Sequence, residues 1–211
     1  MCAGPMLQLR PMRLAPDSCS DGANCSGAVP SSVLPSSSIV ICATIGLVNA
    51  MSRLNKGLDV GGQTIGSATA FHIGVTVNPA ADDLDEEMRR FEWKVEAGAE
   101  YVITRPVYDV RAFEQMHRRL ESAGLPVVLS ARPFENVLDA EYLANEVPGV
   151  RVPLEMIERM RRAQNVEVAA QEGVAIASEV IHALRSSIQG VNVIPPLGRF
   201  DLGLALLDAL A

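Results

Sequence analysis

The sequence predicts an α/β protein that is built on a parallel β-sheet. Four short apolar segments alternate with longer segments whose apolar residues recur at helical spacing. The four segments are apolar throughout, which is typical of parallel strands covered on both faces. No glycine-rich dinucleotide or phosphate-binding loop follows any of them. Both a doubly wound sheet and part of a (β/α) barrel therefore fit the pattern.

The first 44 residues differ from the rest of the chain. They are rich in Ser, Pro, Gly and Cys, hold all four cysteines (Cys2, Cys19, Cys25 and Cys42), and show no sustained period. We expect a disordered, low-complexity leader over 1–44 and a folded domain over 45–211. The cysteine spacings match no zinc motif, and the cysteine-free remainder suits a cytoplasmic protein.

An apolar run over residues 39–48 invites a membrane interpretation. The run is too short for a span, which needs about 20 residues. It also begins too late for a signal peptide. We therefore expect no membrane association.

The first half of the folded domain predicts helix, strand, helix and strand. Leu47, Met51 and Leu54 share one face of a helix over 45–54, and a strand over 71–77 stops at Asn78 and Pro79. Asp82 or Asp83 can cap the next helix. That helix carries the apolar stripe Leu84, Met88, Phe91 and Val95, pairs Glu86 with Arg90 and ends near Gly98.

The second half continues the alternation. Strands are predicted over 101–104, 126–131 and 189–194. Asp109 is placed to cap the helix between the first two of these strands. Helices are also predicted over 136–145, from Pro153, over 166–185 and over 199–210.

Composition and charge limit the functions open to the chain. It is 48% hydrophobic and 20% charged, with a net charge of −7. This balance fits a globular protein and argues against nonspecific nucleic-acid binding, which needs a cation excess. The three histidines (His72, His117 and His182) are not grouped with carboxylates at metal-ligand spacing. We identify no catalytic residue and no metal site.

Several segments in order resemble the methylenetetrahydrofolate reductases: AFHIGVTVNP, KVEAGAEYVITRPVYD, NEVPGVRVP and QGVNVIPPLGR. They look closest to the reductase domain of bifunctional bacterial proteins that also carry a homocysteine methyltransferase domain. SRLNKGLDVGGQTIG resembles the connecting segment of that branch, and the resemblance runs over 45–210. It implies a TIM-type (β/α)8 barrel that holds FAD at the carboxyl ends of its strands. The four predicted strands would be the fifth to the eighth, so the barrel would be incomplete. The family's catalytic glutamate, on the first strand, has no counterpart in residues 1–44.

The resemblance also implies a flavin site. Lys94 matches a family lysine that contacts the phosphate-bearing chain of FAD, and a cation can pair with a diphosphate. Arg90, one turn earlier, falls on another flavin contact. The residue before Lys94 is usually basic in the family, but here it is Trp93.

On the folate side, the resemblance implicates Thr104, Arg105 and Arg199. Arg105 replaces a family glutamine that binds the pterin, and arginine offers donors but no acceptor. Arg199 matches the arginine near the folate tail, where a guanidinium suits a carboxylate.

The implied activity is reduction of 5,10-methylenetetrahydrofolate to 5-methyltetrahydrofolate through FAD, with NADH or NADPH as the hydride donor. This reaction belongs to one-carbon metabolism and supplies methionine biosynthesis. The alternative is a truncated, inactive half-barrel whose exposed edges pair with a second copy or with a complementary half-barrel. An altered-ligand binding module is a third, weaker possibility.

Overall fold

The computed structural model describes residues 36–210, with side chains from residue 44 onward. Within this range it contains one four-stranded parallel sheet and seven α-helices, which confirms the α/β class. The strands are β1 (Gly74–Val77), β2 (Tyr101–Thr104), β3 (Val127–Ala131) and β4 (Gly190–Val193). The helices are α1 (Ser36–Asn55), α2 (Leu84–Glu96), α3 (Val110–Leu120), α4 (Val137–Asn145), α5 (Leu154–Arg161), α6 (Val166–Leu184) and α7 (Phe200–Asp208).

The order of the strands in the sheet is their order in the chain. Gly74 pairs with Tyr101, Val102 with Val127, and Leu129 with Val191, all in parallel register. Because every crossover moves one strand in the same direction, the connecting helices collect on one side of the sheet. The strand order shows none of the reversal that defines a doubly wound sheet.

Among the described residues, one face of the sheet is more deeply buried than the other. The buried face packs on α2, α3, α6 and α7 and consists of Val75, Val77, Val102, Thr104, Val127, Leu129 and Ala131. On the opposite face Thr76 is exposed, Tyr101, Ile103 and Val128 are half-buried, and Ser130 is buried. The expectation that both faces are covered therefore holds only in part, because cover is incomplete on the face that carries Thr76. The apolar pattern could not reveal the difference, because the less covered face still carries Ile103 and Val128.

Side-chain caps fix where several helices begin. The Asp83 carboxylate accepts from the Glu86 amide, and the Asp109 carboxylate accepts from the Arg111 and Ala112 amides. These bonds satisfy backbone donors that have no partner within the helix. The caps predicted from the sequence are confirmed at both residues. Pro153 lies at the N-cap of α5, one residue before the position predicted for it.

The N-terminal boundaries differ from the prediction. Helix α1 begins at Ser36 instead of residue 45, so it extends into the segment assigned to the leader. Extending a helix is easier than nucleating one, which favours its growth into the apolar run that precedes residue 45. The remainder of the leader, residues 1–35, lies outside the described residues, as do the side chains of all four cysteines.

Strand β1 begins at Gly74, three residues later than predicted. The Asn55 side chain donates to the Phe71 carbonyl and accepts from the Phe71 amide, both at 2.8 Å. This amide occupies the backbone groups that a neighbouring strand would otherwise pair. Phe71 therefore lies in extended chain outside the sheet.

Among the described residues, no helix combines the length and apolar character that crossing a membrane requires.

Candidate functional site

A cleft of about 600 Å³ opens at the carboxyl end of β1, beside the edge of the sheet that no other described strand pairs. Strand β1, helix α2, the residue that follows β2 and the loop between α4 and α5 all contribute to it. Its polar lining consists of Thr44, Thr76, Asn78, Asp82, Asp83, Glu86, Glu87, Arg90, Lys94 and Arg105. The location is where α/β proteins usually bind ligands. Three of the five site residues predicted from the sequence (Arg90, Lys94 and Arg105) meet here.

Lys94 reaches the cleft from the last turn of α2. Its ammonium donates a 2.7 Å hydrogen bond to the Thr76 carbonyl. Burial lowers the pKa of Lys94, an effect that Glu87 opposes and Arg90 reinforces. Among the described residues Lys94 forms no ion pair; its ammonium bonds the Thr76 carbonyl, and the charge of Glu87 acts on it from nearby.

The other charges on α2 are mostly paired with one another. Glu86 accepts from Arg90 at 3.1 Å and also pairs with Arg89. The i,i+4 pair of Glu86 with Arg90, predicted from the sequence, is thus confirmed. The Glu87 carboxylate accepts a hydrogen bond from the backbone N–H of Asn78 at 3.1 Å. Arg90 therefore already has a carboxylate partner, with which a ligand would have to compete.

Arg105 lies just after β2 and is exposed at the mouth of the cleft. Within the part of the chain that the structure describes, its guanidinium forms no ion pair. A Cβ placed on Gly149 would lie 2.5 Å from the side-chain nitrogen Nδ2 of Asn78 and 3.2 Å from a guanidinium nitrogen of Arg105. Gly149 also has φ of +72°, which favours glycine. This glycine lets Asn78 and Arg105 approach the loop closely.

Thr104 does not line the cleft. It is 2% exposed, and its hydroxyl accepts from the Ser130 amide at 2.9 Å. Asn192 then donates to the Ser130 hydroxyl at 3.1 Å. The three side chains link the carboxyl ends of β2, β3 and β4, so the geometry gives Thr104 a role in holding the strands together.

Arg199 also lies outside the cleft, at the N-cap of α7. It follows the carboxyl end of β4 and pairs with Glu135 at 3.0 Å and with Asp201 at 2.8 Å. These carboxylates raise the pKa of Arg199 and lower that of Asp201. A ligand carboxylate at Arg199 would have to compete with two protein carboxylates.

A polar cluster that the sequence analysis did not identify lies at the carboxyl end of β3. Arg132 donates to both Asp139 oxygens, at 3.0 and 2.8 Å, and Tyr108 stacks on Phe134 with ring centroids 4.7 Å apart. Burial raises the pKa of Tyr108 to about 12, and the nearby Arg132 opposes this rise. The Tyr108 hydroxyl has no partner of good hydrogen-bond geometry among the described residues. Sequence spacing gave no signal for this group, because the tertiary fold brings Tyr108 and Arg132 together from different loops.

Trp93 is 45% exposed and does not line the cleft. It therefore adds nothing to the cleft in place of the basic residue that the family usually has before Lys94. His72 pairs with Glu100, His117 with Glu121, and His182 contacts Ser178. Within the described range, no group of three or more His, Cys, Asp or Glu residues is arranged to hold a metal ion.

Comparison with protein families matches residues 63–195 to the family described as methylenetetrahydrofolate reductase. The chain belongs to the methylenetetrahydrofolate reductase family. The matched range includes the whole sheet and four of the five predicted site residues; Arg199 lies beyond it. Membership confirms the family resemblance that the sequence segments predicted.

Among solved structures, the chain is similar to an uncharacterized protein from Clostridium thermocellum that binds two copies of 5-methyl-5,6,7,8-tetrahydrofolic acid. The identity is 16% and the TM-score is 0.47, over 65% of this chain and 52% of that protein. The chain thus spans about half the length of that structure. No curated protein matches the sequence.

Proposed function

We propose that the chain is part of a flavoprotein that reduces 5,10-methylenetetrahydrofolate to 5-methyltetrahydrofolate. Family membership supports the reaction class. The cofactors would be FAD and, as the source of hydride, NADH or NADPH. The place of the reaction is one-carbon metabolism, and its product serves methionine biosynthesis. A cytoplasmic location remains a prediction.

One observation carries the cofactor proposal: Lys94 reaches the cleft at the carboxyl end of β1 and forms no ion pair with a carboxylate among the described residues. Such a cation fits a phosphate-bearing ligand, which lysine binds as a point charge. Lys94 would hold the phosphate-bearing chain of FAD, and Arg90 would assist if it left Glu86. When bound, FAD accepts and donates hydride. This chain's own residues supply position and charge.

FAD binding to the purified chain tests this assignment. Quenching of flavin fluorescence measures the affinity, and the visible spectrum shows whether flavin copurifies. Lys94→Ala should weaken binding by about tenfold or more, because a charge-assisted contact is lost. Lys56→Ala is the matched control, since Lys56 is the only other lysine in the chain and does not line the cleft. Equal affinity of the Lys94 variant and the wild type would refute the role of Lys94.

For the folate side, we assign Arg199 to the substrate tail and Arg105 to the pterin end. Both follow carboxyl ends of strands, and Thr104 supports them by joining β2 to β3. Arg105→Gln restores the amide that the family pattern has at this position. In a complex that supplies the rest of a barrel, this variant should turn over folate faster. Unchanged turnover would mean that the arginine is compatible with the pterin.

We further propose that the sheet is an arc of a TIM-type (β/α)8 barrel, corresponding to strands five to eight. The sequential strand order and the single helix-covered face support this assignment. Residues 45–211 would form the partial reductase domain and residues 1–44 a separate leader, of which 36–44 lie within α1. Kinship with the bifunctional branch that carries homocysteine methyltransferase is part of the same proposal.

A second candidate is a catalytically inactive half-barrel that pairs with another chain. The outward side of α7, next to the edge strand β4, carries the exposed apolar stripe Phe200, Leu204 and Leu207. These residues are 71%, 63% and 51% exposed and recur at helical spacing. Sedimentation analysis separates the candidates: a dimer that Leu204→Glu dissociates supports pairing with a second copy, and a monomer that binds FAD supports the enzyme.

A further inference from the structure

Among the residues that the structure describes, the outer edge of β1 pairs with no other strand. The Val77 carbonyl accepts from the Arg105 amide and the Ile73 carbonyl from the Glu100 amide, at 2.8 Å each. Residues 73 and 77 thus direct backbone groups towards β2. Because hydrogen-bonding direction alternates along a strand, Thr76 and Asn78 direct theirs away from the sheet. These are the groups that a further strand would pair.

Two side chains of α2 form hydrogen bonds with these outward backbone groups. Lys94 donates to the Thr76 carbonyl at 2.7 Å, and Glu87 accepts from the Asn78 amide at 3.1 Å. One side chain supplies a donor and the other an acceptor, as the backbone of a neighbouring strand would. Glu87 and Lys94 lie seven residues apart, on the same face of the helix.

We propose that Glu87 and Lys94 form a polar clamp that closes the free edge of β1, and that a phosphate-bearing ligand in the cleft competes with the Thr76 carbonyl for Lys94. The clamp itself stands on the two hydrogen bonds, whereas the competition rests on the proposed function. Unpaired strand edges promote association between chains, and charged side chains are one way of protecting them. Glu87 and Lys94 protect this edge by bonding its backbone directly.

Competition follows from the electrostatics of the ammonium group. Lys94 is half-buried, and burial lowers its pKa, so its charged form is short of favourable contacts. A phosphate carries full negative charge, whereas the Thr76 carbonyl offers a dipole, so the phosphate makes the stronger contact. Transfer of Lys94 to the ligand leaves the Thr76 carbonyl unpaired at the edge. By linkage, anion binding and edge pairing strengthen each other.

The test measures self-association by sedimentation velocity and pyrophosphate binding by calorimetry on the same full-length samples. Lys94→Met keeps an unbranched side chain of nearly the same length but cannot donate a hydrogen bond. It should raise the association constant about fivefold, the effect of one backbone hydrogen bond, and lower pyrophosphate affinity. In the wild type, pyrophosphate should raise association, and in Lys94→Met this dependence should vanish. Lys94→Arg should restore a donor, and Lys56→Met should behave as wild type.

The outcomes separate the clamp from the ligand site. Unchanged association of Lys94→Met, with weaker pyrophosphate binding, overturns the clamp and leaves the proposed function standing. Raised association with unchanged pyrophosphate affinity supports the clamp and overturns both the competition and the role of Lys94 in binding phosphate.

Hydrogen exchange gives a readout that does not depend on association. Glu87→Ala should speed exchange of the Asn78 amide about fivefold or more, because its acceptor is lost. Glu87→Gln retains an acceptor oxygen and should restore slow exchange. Equal exchange rates in the Ala and Gln variants would overturn the part assigned to Glu87.

Discussion

Two glycines in helices should respond to alanine in opposite directions. Gly173 lies inside α6, where a Cβ would come within 2.0 Å of the Phe134 carbonyl oxygen and 2.8 Å of its carbon. Gly46 lies inside α1, where a Cβ would meet nothing within 4 Å. Both substitutions gain the same intrinsic helix propensity. The difference between their effects on the free energy of unfolding therefore measures the cost of the close approach of α6 to the loop that follows β3.

The magnitudes follow from these distances. Alanine is favoured over glycine inside a helix by about 1 kcal/mol, which Gly46→Ala should gain in full. At Gly173, the carbonyl must retreat by roughly 1.3 Å to reach an ordinary C···O contact of about 3.3 Å. Because the obstacle is backbone, we take the upper end of the overpacking range, about 3 kcal/mol. Gly173→Ala should therefore lower the free energy of unfolding by about 2 kcal/mol.

Thermal unfolding followed by circular dichroism measures both variants. For a chain of this size, 1 kcal/mol shifts Tm by about 2–4 °C. We expect Gly46→Ala to raise Tm by about 2–4 °C and Gly173→Ala to lower it by about 4–8 °C. A Gly173 variant as stable as the Gly46 variant would show that α6 does not lie against the Phe134 carbonyl.

Two further predictions concern the polar group at the carboxyl end of β3. The fold raises the pKa of Tyr108 from 10.0 to about 12. Its contribution to stability is therefore complete below pH 10 and is lost as pH rises towards 12, up to about 3 kcal/mol. Alkaline unfolding should show this loss in the wild type, and Tyr108→Phe should abolish it. Arg132→Met should lower the free energy of unfolding by about 3 kcal/mol, because it leaves the Asp139 carboxylate without its main partner. In denaturant titrations, adding Asp139→Leu should recover most of that loss, and a failure to recover would mean that the pair itself is not the cause.

Local chemistry determined much of the fold. The stripe Phe113, Met116 and Leu120 repeats at intervals of three and four, and all three residues are buried in α3. Asp83 and Asp109 cap the helices that the sequence assigned to them. Such signals depend on residues within a few positions of one another, so a single sequence reveals them.

The candidate site was predictable only in part. The family segments placed Lys94 and Arg105 near the same strand ends, and the structure brings them to one cleft. The partners of the candidate site's cations could not be predicted, because they depend on which carboxylates the fold brings to which cations. Arg199, for example, pairs with Glu135, which is 64 residues away in sequence.

The sequence by itself determined the alternation of strands and helices, the capped helix starts and the family, because these follow from neighbouring residues and short segments. Only the tertiary structure decided that one face of the sheet is covered less completely than the other and that Glu87 and Lys94 bond the edge of β1. It also decided that Thr104 is buried as a link between strands. The physical reason is that an unpaired backbone group must find a partner in space. Which side chain supplies that partner depends on how distant segments pack.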